Sequence, residues 1–239
     1  MRKKIVVFAP HPDDETLGCG GTIAKKIDSG YEVFIVFLTD GRYALKEVGV
    51  VSERCCPLKM KDLRKRDALK ASKVLGLPEE NLFFLEIEDK TLQKHRKYAE
   101  NKIVRILMDV NPTEIYLPQK MEYNLDHQMT NLIVREALKN SGLNPIEYQY
   151  TIAWKFPFYI LKHILNERSF DILTCKLLKC KLVRVDISQY LPIKKMAILA
   201  YRSQLSLLFD GQSRPALKPS FISHFLRNKE KFFVKLPKN

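Results

Sequence analysis

A histidine and two carboxylates crowd into His11-Pro12-Asp13-Asp14, and Pro12 bends the chain so that their side chains can converge. A second histidine, His127, follows Asp126 in a stretch that also carries Glu122 and Asn124. His11, Asp14 and His127 together offer two imidazole nitrogens and one carboxylate oxygen. Three protein ligands with a fourth position open are the arrangement of a catalytic rather than a structural zinc site, and the same donors suit ferrous iron. Water at such an ion loses a proton with a pKa of about 7. Asp13, next to one ligand in sequence and aimed elsewhere, would be placed to take that proton. Asp40, in Thr39-Asp40-Gly41, would orient a ligand imidazole through its other nitrogen. Asp13-Asp14 equally suits the start of a helix, where a carboxylate stabilises by roughly 0.5–2 kcal/mol. Residue type and spacing leave both readings open.

Bringing residues 11–14 and 127 together needs a fold that returns its loops to one edge. Residues 5–9 and 33–38 are short, almost unbroken apolar runs, as in strands buried on both faces of a parallel sheet. Between them Leu17, Ile23, Ala24 and Ile27 fall at helical spacing over 16–29, with Gly30 as the stop. Residues 60–75 repeat that pattern ahead of Gly76 and Pro78. Residues 82–85, 114–117 and 148–154 read as further strands, with helices around 103–110 and over 128–139. The alternation predicts an α/β fold: a doubly wound, mostly parallel sheet with helices on both faces and right-handed crossovers. In such sheets ligands bind beyond the carboxyl ends of the strands, where His11, Asp40 and the 122–127 loop fall. After Trp154 the pattern loosens. Residues 156–178 are aromatic and basic, 182–187 are strand-like, 191–209 carry one helical pattern, and a basic tail follows from Pro215. No repeat or linker divides the chain, so a single domain over 1–239 is expected, with a core to about 154 and an elaboration from 155.

Forty-one Lys and Arg stand against 27 Asp and Glu, a formal charge of +14 over 239 residues. Such an excess favours anionic substrates, polyanions or anionic membrane surfaces. The basic faces 54–73 and 214–238 carry no aromatic stacking motif, so no nucleic acid is expected. The 46% hydrophobic content excludes low-complexity disorder. No apolar run reaches the roughly 18–20 residues that span a bilayer. The apolar run before Pro10 is too short for a signal sequence, and a cytoplasmic location is the expectation. Five cysteines, with Cys55 and Cys56 adjacent, read as reduced, packed thiols rather than disulfides or a zinc ribbon. Gly18-Cys19-Gly20-Gly21 lacks the third glycine of a dinucleotide fingerprint, Ile23 standing there, and reads as close packing at a helix start.

The stretch His11-Pro12-Asp13-Asp14-Glu15-Thr16-Leu17-Gly18-Cys19-Gly20-Gly21-Thr22 resembles the opening signature of the LmbE-like, or PIG-L-type, N-acetylglucosaminyl deacetylases. Thr39-Asp40-Gly41, Arg64 with Asp67, Asp126-His127 and Tyr201-Arg202-Ser203-Gln204 match in the same order. The resemblance implies a Rossmann-like, zinc-dependent hydrolase that removes the N-acetyl group of an N-acetylglucosamine-type sugar. It places His11, Asp14 and His127 as metal ligands, Asp13 as the general base, and Arg64 and Asp40 on the substrate side. It also implies a catalytic part for the 124–127 motif, with Asn124-Leu125-Asp126-His127 where the family often has His-x-Asp-His. Asn124 can donate to an oxyanion through its amide but brings no charge. Members include soluble oligomers and membrane-associated proteins, so homo-oligomerisation and peripheral membrane contact both stay open. Joined to the net charge, the resemblance suggests an anionic glycoconjugate as substrate. The alternatives are a catalytically weak sugar-binding homologue and a basic nucleic-acid or membrane-surface binder.

Overall fold

Strands form where the apolar runs fall. In the computed structural model, which describes residues 2–47, 57–154, 157–210 and 212–235, seven strands make one sheet. They are β1 (Lys4–Ala9), β2 (Glu32–Thr39), β3 (Leu82–Ile87), β4 (Glu114–Pro118), β5 (Ile146–Tyr150), β6 (Lys181–Asp186) and β7 (Lys229–Lys235). Their order is β3-β2-β1-β4-β5-β7-β6, with β1 to β5 parallel and the last two antiparallel. The chain runs outward from β1 to β2 and β3, then returns to place β4 on its other side. That reversal opens a crevice beyond the ends of β1 and β4.

Successive residues of a strand face opposite ways, so a sheet covered on both sides needs apolar residues throughout. Ile5, Val7, Val33 and Ile35 pack beneath α1 (Asp14–Asp28) in one core, while Val6, Phe8, Phe34 and Val36 pack in the other. A short α2 (Ala44–Glu47) follows β2, and α3 (Pro57–Leu75) joins α1 on the first face through Ala68, Ala71 and Leu75. The second face is closed by α4 (Arg96–Val110) and α5 (Leu125–Ser141) through Ile103, Leu107, Ile133 and Val134. The antiparallel pair β6–β7 is reached through α6 (Phe158–Ile164), α7 (Glu167–Leu178), α8 (Leu191–Ala200), α9 (Arg202–Leu205) and α10 (Pro219–Ile222).

Two late segments differ from the sequence expectation. Residues 191–209 are not one helix: the backbone turns at Tyr201 (φ −77°, ψ 62°) between α8 and α9. The turn drives the Tyr201 ring into the core, where its hydroxyl donates to Glu15 Oε1. Residues 229–235, expected within a basic tail, are β7, because Phe232 and Val234 fill the core beside β1 while Phe233 packs against Trp154 on the other side. The 18–21 glycines do serve close packing: a Cβ on Gly21 would lie 2.4 Å from Ile187 Cδ1, and one on Gly18 2.5 Å from the Tyr150 ring. Beside them the buried Lys194 ammonium pairs with Glu230 at 2.6 Å, tying α8 to β7. Cys19, Cys175 and Cys180 are free thiols, while Arg54, Cys55, Cys56, Phe156 and Lys238 lie outside the described residues. Among the described residues no helix is long and apolar enough to cross a membrane.

Candidate active site

The crevice holds the residues the spacing singled out. His11 stands just past β1, and α1 begins at Asp14, so the Pro12 turn lies over the carboxyl end of the sheet. His127 sits in the first turn of α5, after β4, the neighbour of β1. Asn124 caps that helix, its Oδ1 accepting from the Asp126 amide at 2.8 Å. Two adjacent parallel strands thereby deliver side chains 116 residues apart in sequence to one point.

His11 Nδ1, Asp14 Oδ2 and His127 Nε2 form a near-equilateral triangle with edges of 3.2, 3.1 and 3.2 Å. All three residues are buried. Tetrahedral coordination with bonds of about 2.0–2.1 Å sets ligand atoms roughly 3.3 Å apart, so the triangle fits an ion of that size. The electrostatics agree. Burial alone would lower the His11 pKa, but Asp126, Asp14 and Asp89 drive it well above the usual histidine value. Burial likewise opposes a charge on His127, and Asp14 overrides it. Burial would raise Asp14, yet the two imidazoles hold it far below the ordinary carboxylate range. The pocket is built to hold positive charge.

Each imidazole is also met from behind. Asp89 Oδ1 lies 3.3 Å and Asp126 Oδ2 3.5 Å from His11 Nε2, which fixes the ring so that Nδ1 faces the triangle. Glu122 Oε2 lies 3.6 Å from His127 Nδ1, and that nitrogen has no hydrogen-bond partner among the described residues. Glu122 itself accepts from the Ile152 and Ala153 amides at 2.5 and 2.8 Å, and burial raises its pKa to about 7. Asp89 carries no motif signal; its mark is its place just past the carboxyl end of β3. Glu122 stands in the loop already noted after β4.

Asp13 occupies a backbone conformation that side chains avoid, φ 133°, a strain of order 1–3 kcal/mol. Several bonds hold it there. Its amide donates to Glu15 Oε2 at 3.0 Å, and its carbonyl accepts from Leu17 at 2.9 Å. Its carboxylate lies 3.0 Å from the Arg64 guanidinium. Arg64, buried on α3, also donates to the Pro12 carbonyl and to Gln204 Oε1 at 3.2 Å. Burial raises the Asp13 pKa to about 7, with Arg64 opposing and Asp14 and Glu15 adding.

These groups open onto a cavity of about 190 Å³ lined by His11, Asp13, Asp14, Arg64, Asn124 and His127 among others. Six of the eight residues picked from sequence therefore line one space. Asp126 stands behind His11 instead of in the cavity wall. Asp40 corrects the expectation: it touches neither histidine and lies outside the cavity. Its carboxylate binds Arg42 at 2.5 and 2.9 Å and accepts from the Asp89 amide at 3.3 Å, so Asp89 holds the place expected of Asp40. Asp40 steadies the loop that carries Asp89.

The chain is 31% identical over 144 residues to a diacetylchitobiose deacetylase of Thermococcus kodakarensis, covering 59% of this chain and 51% of that protein. It is 32% identical over 119 residues to a Bacillus cereus protein described as a probable N-acetyl-alpha-D-glucosaminyl L-malate deacetylase 2, covering 48% of this chain and 51% of that one. The chain thus spans about half the length of these curated relatives. Its fold is similar to that of an inhibitor-bound N,N'-diacetylchitobiose deacetylase from Pyrococcus horikoshii, with TM-score 0.68 and 21% identity over 98% of this chain and 84% of that one. The family model described as PIG-L: GlcNAc-PI de-N-acetylase matches residues 6–138, more than half of the sequence, and the chain belongs to that family.

Proposed function

We propose that the protein hydrolyses the N-acetyl group of an N-acetylglucosamine-type sugar, releasing acetate and a free amine. The observation that carries this is the closed triangle of His11 Nδ1, Asp14 Oδ2 and His127 Nε2 with Asp13 lining the same cavity. The family and the deacetylase names of the relatives support the same chemistry. His11, Asp14 and His127 would hold a divalent ion, zinc by the donor set, with ferrous iron equally suited. Such an ion polarises an amide carbonyl and brings the pKa of water towards about 7.

The chain's own residues move the protons. Asp13, with a carboxyl pKa near 7, accepts a proton from the attacking water. As the new C–O bond forms, the oxyanion faces the Asn124 amide, a neutral donor. Asp13 then returns its proton to the departing nitrogen, the C–N bond breaks, and the carboxylate is regenerated. Arg64 positions Asp13 and keeps it from turning away. Asp89 fixes the His11 tautomer, Asp126 lies behind the same ring, and Glu122 backs His127.

The test joins metal analysis to an amine-release assay over N-acetylglucosamine conjugates. Asp13→Ala is expected to keep its metal and lose 10²–10⁴-fold in kcat, the usual worth of a general base. His11→Ala and His127→Ala are expected to lose both metal and turnover. Undiminished acetate release from Asp13→Ala would overturn the role given to it. One observation favours a second reading, a sugar-binding homologue of low activity: Asn124, an uncharged donor, stands where the family often has a histidine. Sugar binding without amine release in the metal-loaded protein would select that reading.

A further inference from the structure

A second cleft, about 400 Å³, opens beside the catalytic cavity, and Leu17 and Ile152 line both. One wall is aromatic: Trp154 stacks at 5.2 and 5.7 Å edge-on against Phe170 and Phe233, and all three face the cleft. The rest is charged, and the charges do not balance. Every carboxylate in the lining is already engaged. Glu230 binds Lys194 and the Gly21 and Thr22 amides. Asp171 binds Arg184 at 2.5 Å and Lys231 at 3.0 Å, and Glu167 also pairs with Lys231. Lys162 and Arg227, by contrast, line the same cleft with no carboxylate in ion-pair distance among the described residues. Partial burial of its ammonium and the nearby Arg227 and Lys231 charges push the Lys162 pKa below the ordinary lysine value. A neutral occupant would leave that repulsion in place; an anion removes it.

Geometry of the sugar completes the case. In a 2-acetamido sugar the amide sits on the carbon next to the anomeric centre. A group on that centre therefore falls within one sugar bond of the scissile amide, at the mouth shared by the two cavities. Cations able to give several donors to one tetrahedral anion suit a phosphate ester, and aromatic faces suit whatever the ester carries beyond it. We propose that this cleft is the aglycone subsite and that it takes a phosphate or diphosphate ester at the anomeric carbon, bound by Lys162 and Arg227 with its further portion along Trp154 and Phe233. The inference rests on the deacetylase reading.

The metal-loaded enzyme tests it through kcat/KM for amine release from four compounds: free N-acetylglucosamine, its 1-phosphate, a nucleoside diphosphate conjugate and a short-chain polyprenyl diphosphate conjugate. The ratio of phosphorylated to neutral substrate is expected to exceed ten. It should fall at least tenfold in Lys162→Ala and in Arg227→Ala, and further in the double variant. The nucleotide and polyprenyl arms identify which source of the phosphate the cleft prefers. Calorimetric titration with inorganic pyrophosphate reads the same site without turnover, and the double variant should lose that binding. Thermal melts of these exposed substitutions check that the fold is kept. A ratio near one, a ratio unmoved by the substitutions, or pyrophosphate binding that is absent or unchanged in the double variant would overturn the inference. Pyrophosphate binding lost in the double variant, with no amine released from any sugar, would uphold the subsite and overturn the deacetylase reading instead.

Discussion

Asp89 and Asp126 both face His11 Nε2, yet replacing each by Asn should have very different consequences. Asp89 divides its work between two oxygens: Oδ2 accepts from the Tyr43 amide at 3.1 Å, and Oδ1, with no other partner among the described residues, faces His11 at 3.3 Å. An asparagine has one oxygen for these two donors. Its NH2 must oppose either the Tyr43 amide or the imidazole N–H. The first leaves a buried donor without an acceptor, worth about 1–3 kcal/mol. The second moves the ring proton to Nδ1, the atom that points at Asp14 and His127, where an incoming ion has to displace it. Asp126 instead uses the single oxygen Oδ2 for both the Lys90 amide, at 2.8 Å, and His11, at 3.5 Å. Its asparagine can leave an oxygen there and turn the NH2 away. Since 1.4 kcal/mol is tenfold in affinity, Asp89→Asn should weaken zinc binding about 10–100-fold. Asp126→Asn should stay within about threefold. Competition against a chromophoric chelator reads both constants, with a thermal melt to show intact folding. Equal losses, or a larger loss in Asp126→Asn, would refute the assignment of the His11 tautomer to Asp89.

Removing Glu230 leaves the Lys194 ammonium, 1% exposed, without its counter-charge. Glu230→Ala should cost about 3–5 kcal/mol, a Tm drop of roughly 6–20 °C at this chain length, and Lys194→Met added to it should recover part of the loss in a melting experiment. Gly21→Ala drives a methyl to 2.4 Å from Ile187 Cδ1; a loss of about 1–3 kcal/mol in chemical denaturation, partly relieved by Ile187→Ala, is expected. Asn124→Asp keeps an oxygen for the Asp126 amide and an equally good helix cap, but deletes the NH2 donor. Its melting curve should be unchanged while kcat falls about 10²–10³-fold if the amide meets the oxyanion; an unaltered kcat would refute that role.

Much of this site was legible in the sequence because it obeys two local rules. Doubly buried strands leave unbroken apolar runs, so residues 5–9 and 33–38 announced a parallel sheet, and the carboxyl-edge rule then pointed to His11 and His127. Asp89 escaped because nothing in Glu88-Asp89-Lys90 differs from an ordinary surface turn; only the strand register that brings β3 beside β2 and β2 beside β1 carries it to His11. Asp40 misled for the complementary reason. It is at the right edge, on the right strand, but its neighbour Arg42 captures it at 2.5 Å. The break at Tyr201 and the strand at 229–235 were hidden in another way. Both are imposed by partners far away in sequence, Glu15 for the tyrosine and the β5 edge for the strand, and neither partner leaves a periodic trace in the segment itself.

The late residues bear on the chemistry as well as on the packing. Asp13 holds its strained conformation because Glu15 accepts its amide proton and Arg64 anchors its carboxylate. Neither support is free to act alone. Glu15 is fully buried and is fixed in turn by the Tyr201 hydroxyl; the Arg64 guanidinium is levelled by Gln204. Tyr201 can reach Glu15 only because the chain turns between α8 and α9, and the Ser203 amide, donating to Asp67 at 2.7 Å, pins that turn to α3. The carboxylate at residue 13 is thus set by contacts from residues 64–67 and 201–204. A chain ended after β5 would keep all three corners of the histidine–aspartate triangle and yet lose the frame that aims Asp13 into the cavity.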